Sequence, residues 1–203
     1  MHDLHKYLIS LSPTFGSPEE IAEKFQRINY KSFEKEVLSH VLEQTDIYTD
    51  LFDANQVYDY REEGPGSWDY QYPPVLFGRR SKKQFLKEFN DAVNTPYERL
   101  MSYFEVLSDY LQKNKFPYIH LANKSTVSIK FSKTLIETLK TDYIPGGILY
   151  NLESIVSILS KEYTYRVPYY DLINKSIITP PETIQDVKEH PENYALVFIN
   201  CHY

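Results

Sequence analysis

Hydrophobic residues recur at helical spacing through most of the first half of the chain. Between residues 18 and 45 they are mostly three to five positions apart, as on the buried face of an amphipathic helix. This spacing predicts a helix over that range, irregular near Asn29-Tyr30. Two further helices are predicted over 81–93 and 97–113, separated at Thr95-Pro96 because proline interrupts helical hydrogen bonding.

Three short motifs indicate where helices begin. Ser17, Thr95 and Thr179 each precede a proline, and a glutamate follows three positions after the hydroxyl residue. The hydroxyl can accept a hydrogen bond from a backbone N–H of the first turn, and proline lacks an N–H that would be unpaired there. We therefore expect a capped helix to begin after each of these residues.

The second half of the chain mixes strand and helix patterns. Strands are predicted over 116–121, 126–131 and 194–199, the last inside a sheet, with an edge strand over 163–170 that contains Pro168. Helices are predicted over 133–140, 151–162 and 182–190. The pattern favours a single α+β domain, residues 1–203, whose helical N-terminal half packs with a small mixed or antiparallel sheet from the C-terminal half. Two packed lobes, 1–114 and 115–203, are the alternative.

Composition is that of a folded protein, with 42% hydrophobic and 25% charged residues among 203. Cys201 is the only cysteine, so no internal disulfide can form, and we expect it to be a small buried residue. The first residues lack the pattern of a signal peptide, and no apolar run reaches the roughly 18 residues of a membrane span. These features predict a cytoplasmic protein that does not enter a membrane.

The net charge of −6 is localised in one stretch, residues 46–72, which we call the acidic segment. It holds seven acids and one base, so the rest of the chain is balanced at 21 acids and 21 bases. The balance elsewhere disfavours direct binding of nucleic acid. The segment also contains seven aromatic residues, including Trp68, the only tryptophan.

A long connection between helices that is rich in both rings and carboxylates is typical of a recognition element. Aromatic rings serve as anchors in protein interfaces, and charges at the rim steer the approach of the partner. We therefore predict a non-enzymatic binding protein, of inhibitor, immunity or antagonist type, whose partner is another protein with a basic surface; a homo-oligomer is also open. An ordinary loop whose rings pack on the protein's own helices is the alternative. The predicted partner-binding residues are Tyr58, Asp59, Tyr60, Glu62, Glu63, Trp68, Asp69, Tyr70 and Tyr72.

A basic cluster follows the acidic segment directly, at the predicted start of a helix. It consists of Arg79, Arg80, Lys82, Lys83 and Lys87. Cations at a helix N-terminus oppose the helix dipole, which predicts a compensating anion. The acidic segment folded back onto the cluster is the favoured source of that anion, and an anionic partner is the alternative.

Catalytic and metal-binding motifs are weak throughout. Neither His2 with His5 nor the series Asp46, Asp50 and Asp53 matches a known metal-site spacing, and Pro145-Gly146-Gly147 lacks the features of a phosphate-binding loop. The sequence therefore predicts no cofactor and assigns no catalytic residue. The alternative function is a hydrolase or nuclease whose site assembles from distant histidines and carboxylates, such as His120, Glu153 and Asp171.

Overall fold

A computed structural model describes residues 2–26, 29–51, 60–62, 65, 71–113, 146–160 and 167–202. The chain forms two compact units. The first comprises Met1–Pro96 together with Lys161–Tyr203, and the second comprises Tyr97–Ser160. These bounds differ from the lobes 1–114 and 115–203, and the single-domain organisation stays a prediction.

Helix α1, Pro18–Lys24, begins as the sequence predicts. The Ser17 hydroxyl accepts from the Glu20 N–H at 3.2 Å, and the Glu20 carboxylate accepts from the Ser17 N–H at 2.7 Å. This reciprocal pair satisfies two backbone donors that a helix start otherwise leaves open. The helix ends at Lys24, and α2, Tyr30–Leu51, follows, so the irregularity expected near Asn29 is a complete break.

Thr95 and Pro96 do not separate two helices, and that prediction is wrong. Helix α3 runs without interruption over Lys82–Lys113. The Thr95 hydroxyl donates to the carbonyl of Asp91 at 3.0 Å inside the helix, where it caps nothing. A proline removes one helical hydrogen bond, and here the turns on both sides continue the helix despite that loss.

The third predicted start is displaced by one residue. Helix α5, Pro181–Glu189, is preceded by Pro180 at the cap position, with no side-chain cap bond. The Thr179 hydroxyl instead forms a hydrogen bond with the hydroxyl of Tyr169. The helix predicted over 182–190 is thus confirmed, but Thr179 is not its cap.

The α+β class is confirmed, with a mixed sheet centred on strand β5, Tyr194–His202. Strand β1, His2–Ser10, pairs antiparallel with β5 along its whole length, and β4, Tyr169–Asp171, pairs parallel with β1 at the sheet edge. The other side of β5 pairs with β2, Tyr60–Glu62, and β3, Val75–Phe77. The prediction of an internal strand at 194–199 is confirmed. Of the edge strand predicted over 163–170, only Tyr169 and Tyr170 lie in a described strand, β4, and residues 163–166 lie outside the described residues. Strand β1 is not among the predictions.

Strand β5 is buried on both faces, and a helix covers each. On one face, Phe77 of β3 stacks on Phe33 of α2, with ring centroids 5.3 Å apart. On the other, Lys6 of β1 forms an ion pair with Glu88 of α3. Cys201 is buried in this sheet, as predicted. A sheet covered on both sides explains why β5 reads as a continuous apolar run.

The second unit contains the part of α3 after Pro96 and helix α4, Gly146–Leu159. Tyr103 and Leu107 are buried on one side of α3, and Ile155 and Ile158 are buried on α4. Within the described residues, no helix combines the length and the apolar character that crossing a membrane requires. The strands predicted over 116–121 and 126–131 and the helix over 133–140 lie outside the described residues.

Candidate partner-binding site

Strands β2 and β3 lie on the same edge of β5, on the side opposite β1. Glu62, the last residue of β2, is opposite Asn200, and Val75, the first residue of β3, is opposite Val197. The two strands therefore run in the same direction along one partner strand. They resemble a single edge strand that has been opened in its middle.

The chain between β2 and β3 has many more residues than are needed to follow the edge of the sheet from one strand to the other. Glu62 and Val75 are thirteen positions apart in sequence, whereas their partners Asn200 and Val197 are only three apart, about 10 Å of strand. The carbonyl of Pro74 already accepts from the Phe198 N–H at 3.0 Å, so the chain has returned to the sheet there. The chain between Glu62 and Pro74 is thus attached to β5 at both ends, and we call residues 63–73 the excursion.

Tyr72 lies at the returning end of this excursion, and its ring packs on the sheet. It stacks on Phe198 of β5 with centroids 4.9 Å apart, and the Lys6 ammonium lies 5.8 Å from its ring centre. Lys6 in turn bonds to Glu88 at 2.8 Å, with side chains 17% and 7% exposed respectively. The Tyr72 ring therefore anchors the excursion on the protein itself. At this one position, the ring packs on its own protein, as in the alternative of an ordinary loop.

The other predicted binding residues are placed less completely. Tyr60 and Glu62 lie in β2, whose backbone pairs with β5. The remaining six lie outside the described residues: Tyr58, Asp59, Glu63, Trp68, Asp69 and Tyr70. Four of these six, Glu63, Trp68, Asp69 and Tyr70, belong to the excursion, and the structure positions both of its ends.

A cationic region lies where β3 passes into α3, and we call Arg79, Arg80, Lys82, Lys83 and Lys87 the basic surface. All five side chains are exposed. The Arg80 guanidinium lies 3.9 Å from the ring centre of Tyr30, and that of Arg79 lies 5.6 Å from the ring centre of Phe25. Stacking on a ring fixes the orientation of a guanidinium, and Arg80 also forms a side-chain hydrogen bond with Tyr30.

The carboxylates that the structure describes do little to neutralise the basic surface. In the part of the chain that the structure describes, none forms an ion pair with Arg79, Arg80, Lys82 or Lys83. Lys87 lies 3.7 Å from Glu88, whose other oxygen already bonds Lys6. The predicted fold-back of the acidic segment onto this cluster falls on residues outside the described ones and stays a prediction.

A group of buried polar atoms surrounds Asp171 at the end of β4. Its carboxylate accepts from the backbone N–H groups of Ile173 and Asn174 at 2.9 and 3.1 Å and from the Asn174 amide at 2.8 Å. Burial raises the pKa of Asp171 despite these donors. Both oxygens accept hydrogen bonds from the residues that follow β4, so this carboxylate stabilises the turn.

Histidines give no catalytic geometry among the residues that are described. The ring of His40 packs edge-on against Phe15 at 5.2 Å, and that of His5 is buried in β1 beside Tyr7. The Nδ1 of His190 lies 3.8 Å from Glu192, at an exposed position. His120 and the side chain of Glu153 lie outside the described part, and no described cluster of three or more potential ligands could bind a metal ion.

Sequence reasoning missed Lys6, Glu88 and Phe198 as supports of the excursion. The signal for Lys6 is present in the apolar residues Tyr7, Leu8 and Ile9, which follow it and are typical of a strand. The pairing of Lys6 with Glu88 spans 82 positions, so no local pattern predicts it.

Comparison with protein-family models, with curated proteins and with solved structures finds no match to this chain.

Proposed function

We propose that this chain is a cytoplasmic, non-enzymatic binding protein of inhibitor, immunity or antagonist type. Its acidic segment, with Trp68 as the central anchor, binds a basic surface on a macromolecular partner. The observation that carries the proposal is that the acidic segment is attached to the sheet. The whole net charge of −6 lies in residues 46–72, and the excursion at the end of this segment, with Glu63 and Asp69 of its seven acids, is bonded to β5 at both ends.

The bonded ends support recognition because they limit the conformations that the excursion must lose on binding. A loop closed across about 10 Å of strand has fewer states than a free tail of the same length, so ordering it costs less free energy. Carboxylates on such a loop attract a cationic partner over a distance, and rings supply the buried contact once the two surfaces meet.

The test uses a double variant, Trp68→Ala with Asp69→Ala, as bait for proteins in a native lysate. We expect it to lose the partner that the wild type captures while its unfolding temperature changes little. Substitution is preferred to deletion of 56–72, since deletion would also remove β2 and the Tyr72 anchor.

The matched control is Tyr97→Ala with Glu98→Ala, a ring and a neighbouring carboxylate that are both exposed on α3. It removes the same kinds of side chain from another element and should leave capture intact. If the Trp68/Asp69 variant captures the same proteins as the wild type, the proposal is wrong.

A further inference from the structure

The turn that carries the basic surface is held in place by its backbone. The N–H of Gly78 donates to the carbonyl of Tyr194 at 3.0 Å, so the turn is attached to the first residue of β5. The N–H groups of Arg80 and Ser81 both donate to the carbonyl of Phe77, at 3.2 and 3.1 Å. The cations on this turn therefore project from a bonded backbone, which a ligand does not have to order on binding.

Both arginines of the basic surface are oriented by rings. The Arg79 guanidinium lies 5.6 Å from the ring centre of Phe25, and that of Arg80 lies 3.9 Å from the ring centre of Tyr30. Arg80 also forms a hydrogen bond with Tyr30, whose hydroxyl donates to Glu34 at 3.4 Å. A guanidinium has five N–H groups in a planar fork, so a bond to one hydroxyl leaves donors in a geometry that matches phosphate oxygens.

Three lysines extend the basic surface onto the first two turns of α3. Lys82 and Lys83 lie in the first turn, which contains no acidic residue, and Lys87 lies one turn after Lys83 on the same side. The first turns of α1 and α5, in contrast, both contain glutamate. Cations in a first turn oppose the helix dipole, so an anion bound beside them would stabilise this end of α3.

The basic surface is compact, and an acid follows it. Residues 79–87 contain five cations and no acid, and Lys82 and Lys87 are only about 8 Å apart along the helix axis. Asp91 is exposed one turn beyond Lys87 on the same side of α3, so the row of cations ends there. A long, uniformly charged strand such as a nucleic acid would extend past this carboxylate, whereas a short anion would contact cations alone.

We propose that the basic surface is a binding site for a short chain of phosphate groups, as in inorganic triphosphate or the triphosphate of a nucleotide. Arg79 and Arg80 bind phosphate oxygens through their N–H groups, and Lys82, Lys83 and Lys87 neutralise the remaining charge. Adjacent phosphates concentrate several negative charges over a length similar to that of the surface. The site contains none of the predicted partner-binding residues and does not rest on the proposed function.

Isothermal titration calorimetry of the full chain with inorganic triphosphate tests the site. We expect this probe to bind at least about tenfold more tightly than inorganic monophosphate, because each further phosphate reaches further cations. Adenosine triphosphate distinguishes the two sources of the phosphate chain. If it binds at least as tightly as inorganic triphosphate, the ligand is a nucleotide; if it binds more weakly, the ligand is inorganic. Both results uphold the inference.

Two variants separate a shaped site from a general positive field. Lys82→Gln with Lys83→Gln should weaken triphosphate binding at least about tenfold, and it should not destabilise α3, since it removes cations from the first turn. The matched control, Arg99→Gln with Lys188→Gln, makes the same change in net charge at two exposed cations elsewhere and should bind like the wild type. Arg80→Lys keeps the charge but removes the planar fork, so it should weaken binding about three- to tenfold.

A wild type that does not bind triphosphate overturns the inference. Equal weakening by the Lys82/Lys83 variant and its control also overturns it, because net charge alone would then explain the binding. A single-stranded oligonucleotide or an oligoglutamate peptide that binds more tightly than triphosphate would assign the surface to nucleic acid or to an acidic protein instead. None of these results affects the proposed function, which the capture experiment with the Trp68/Asp69 variant tests separately.

Discussion

A Cβ added to Gly78 would lie 2.0 Å from the carbonyl oxygen of Pro191, because the two backbones are in direct contact. That contact places the turn between β3 and the basic surface against the short 3-10 helix Pro191–Asn193. The obstructing atom belongs to the backbone, so no side chain can rotate to make room. Glycine is therefore required at position 78 because no side chain fits there. The backbone conformation is not the reason, because the φ of Gly78 is not in the left-handed region.

We therefore expect Gly78→Ala to destabilise the protein by about 1–3 kcal/mol, the usual cost of overpacking a close contact. Urea denaturation measures the change in the free energy of unfolding. Gln84→Ala, at an exposed position of α3, is the control and should be nearly neutral. A Gly78→Ala protein as stable as the wild type would show that the turn moves freely away from Pro191.

Tyr72 is predicted to act through its ring. Its stacking on Phe198 buries aromatic surface, so Tyr72→Ala should lower the free energy of unfolding by about 1–3 kcal/mol, whereas Tyr72→Phe should change it by less than about 0.5 kcal/mol. Chemical denaturation of both variants checks this. Equal losses from the two substitutions would assign the stabilisation to the hydroxyl group.

A double-mutant cycle should measure the interaction free energy between Lys6 and Glu88. Breaking a buried pair by removing one partner costs about 3–5 kcal/mol, and we expect the lower end because Lys6 keeps some exposure. Lys6→Met combined with Glu88→Leu should cost less than either single change, since neither charge is then left alone. Additive losses across the four proteins would contradict a direct interaction.

Asp171 should make stability depend on pH in a defined direction. Burial raises the pKa of this carboxyl above its unfolded value, so the folded protein binds a proton over a pH window where the unfolded chain does not. Stability from this group is therefore lost as pH rises through that window.

Asp171→Asn removes that titration and provides the comparison. We expect the difference in unfolding free energy, variant minus wild type, to grow in favour of the variant as pH rises above the ordinary pKa of an aspartate. Urea denaturation at several pH values measures it. A difference that is constant over this range would show that Asp171 titrates alike in the folded and unfolded chain.

The elements that the sequence predicts correctly are those with strong local signals. The cap at Ser17 and the apolar run at β5 depend on neighbouring residues, and both are present as expected. The break at Thr95-Pro96 fails because a proline's local effect is outweighed by the continuing turns of α3. Strand β1 was overlooked because its stability comes from pairing with residues almost 200 positions away.

The candidate site is likewise predictable only in those features that depend on neighbouring residues. Charge and aromatic content locate the acidic segment from sequence alone, since both are properties of composition. The register that bonds the ends of the excursion to β5 arises from contacts more than a hundred positions apart, and no local pattern predicts it. The anchoring role of Tyr72 likewise follows from Phe198, which is distant in sequence.

At the gap between β2 and β3, the number and the kind of residues can change without changing the rest of the fold. The bonds that join β2 and β3 to β5 are made by main-chain atoms, so they impose few demands on the side chains between them. Insertions, deletions or replacements within residues 63–71 should leave both the strand register and the Tyr72 anchor intact. Such a position is where new specificities can arise by drift, and where a foreign peptide could be grafted onto this protein and displayed with both ends fixed.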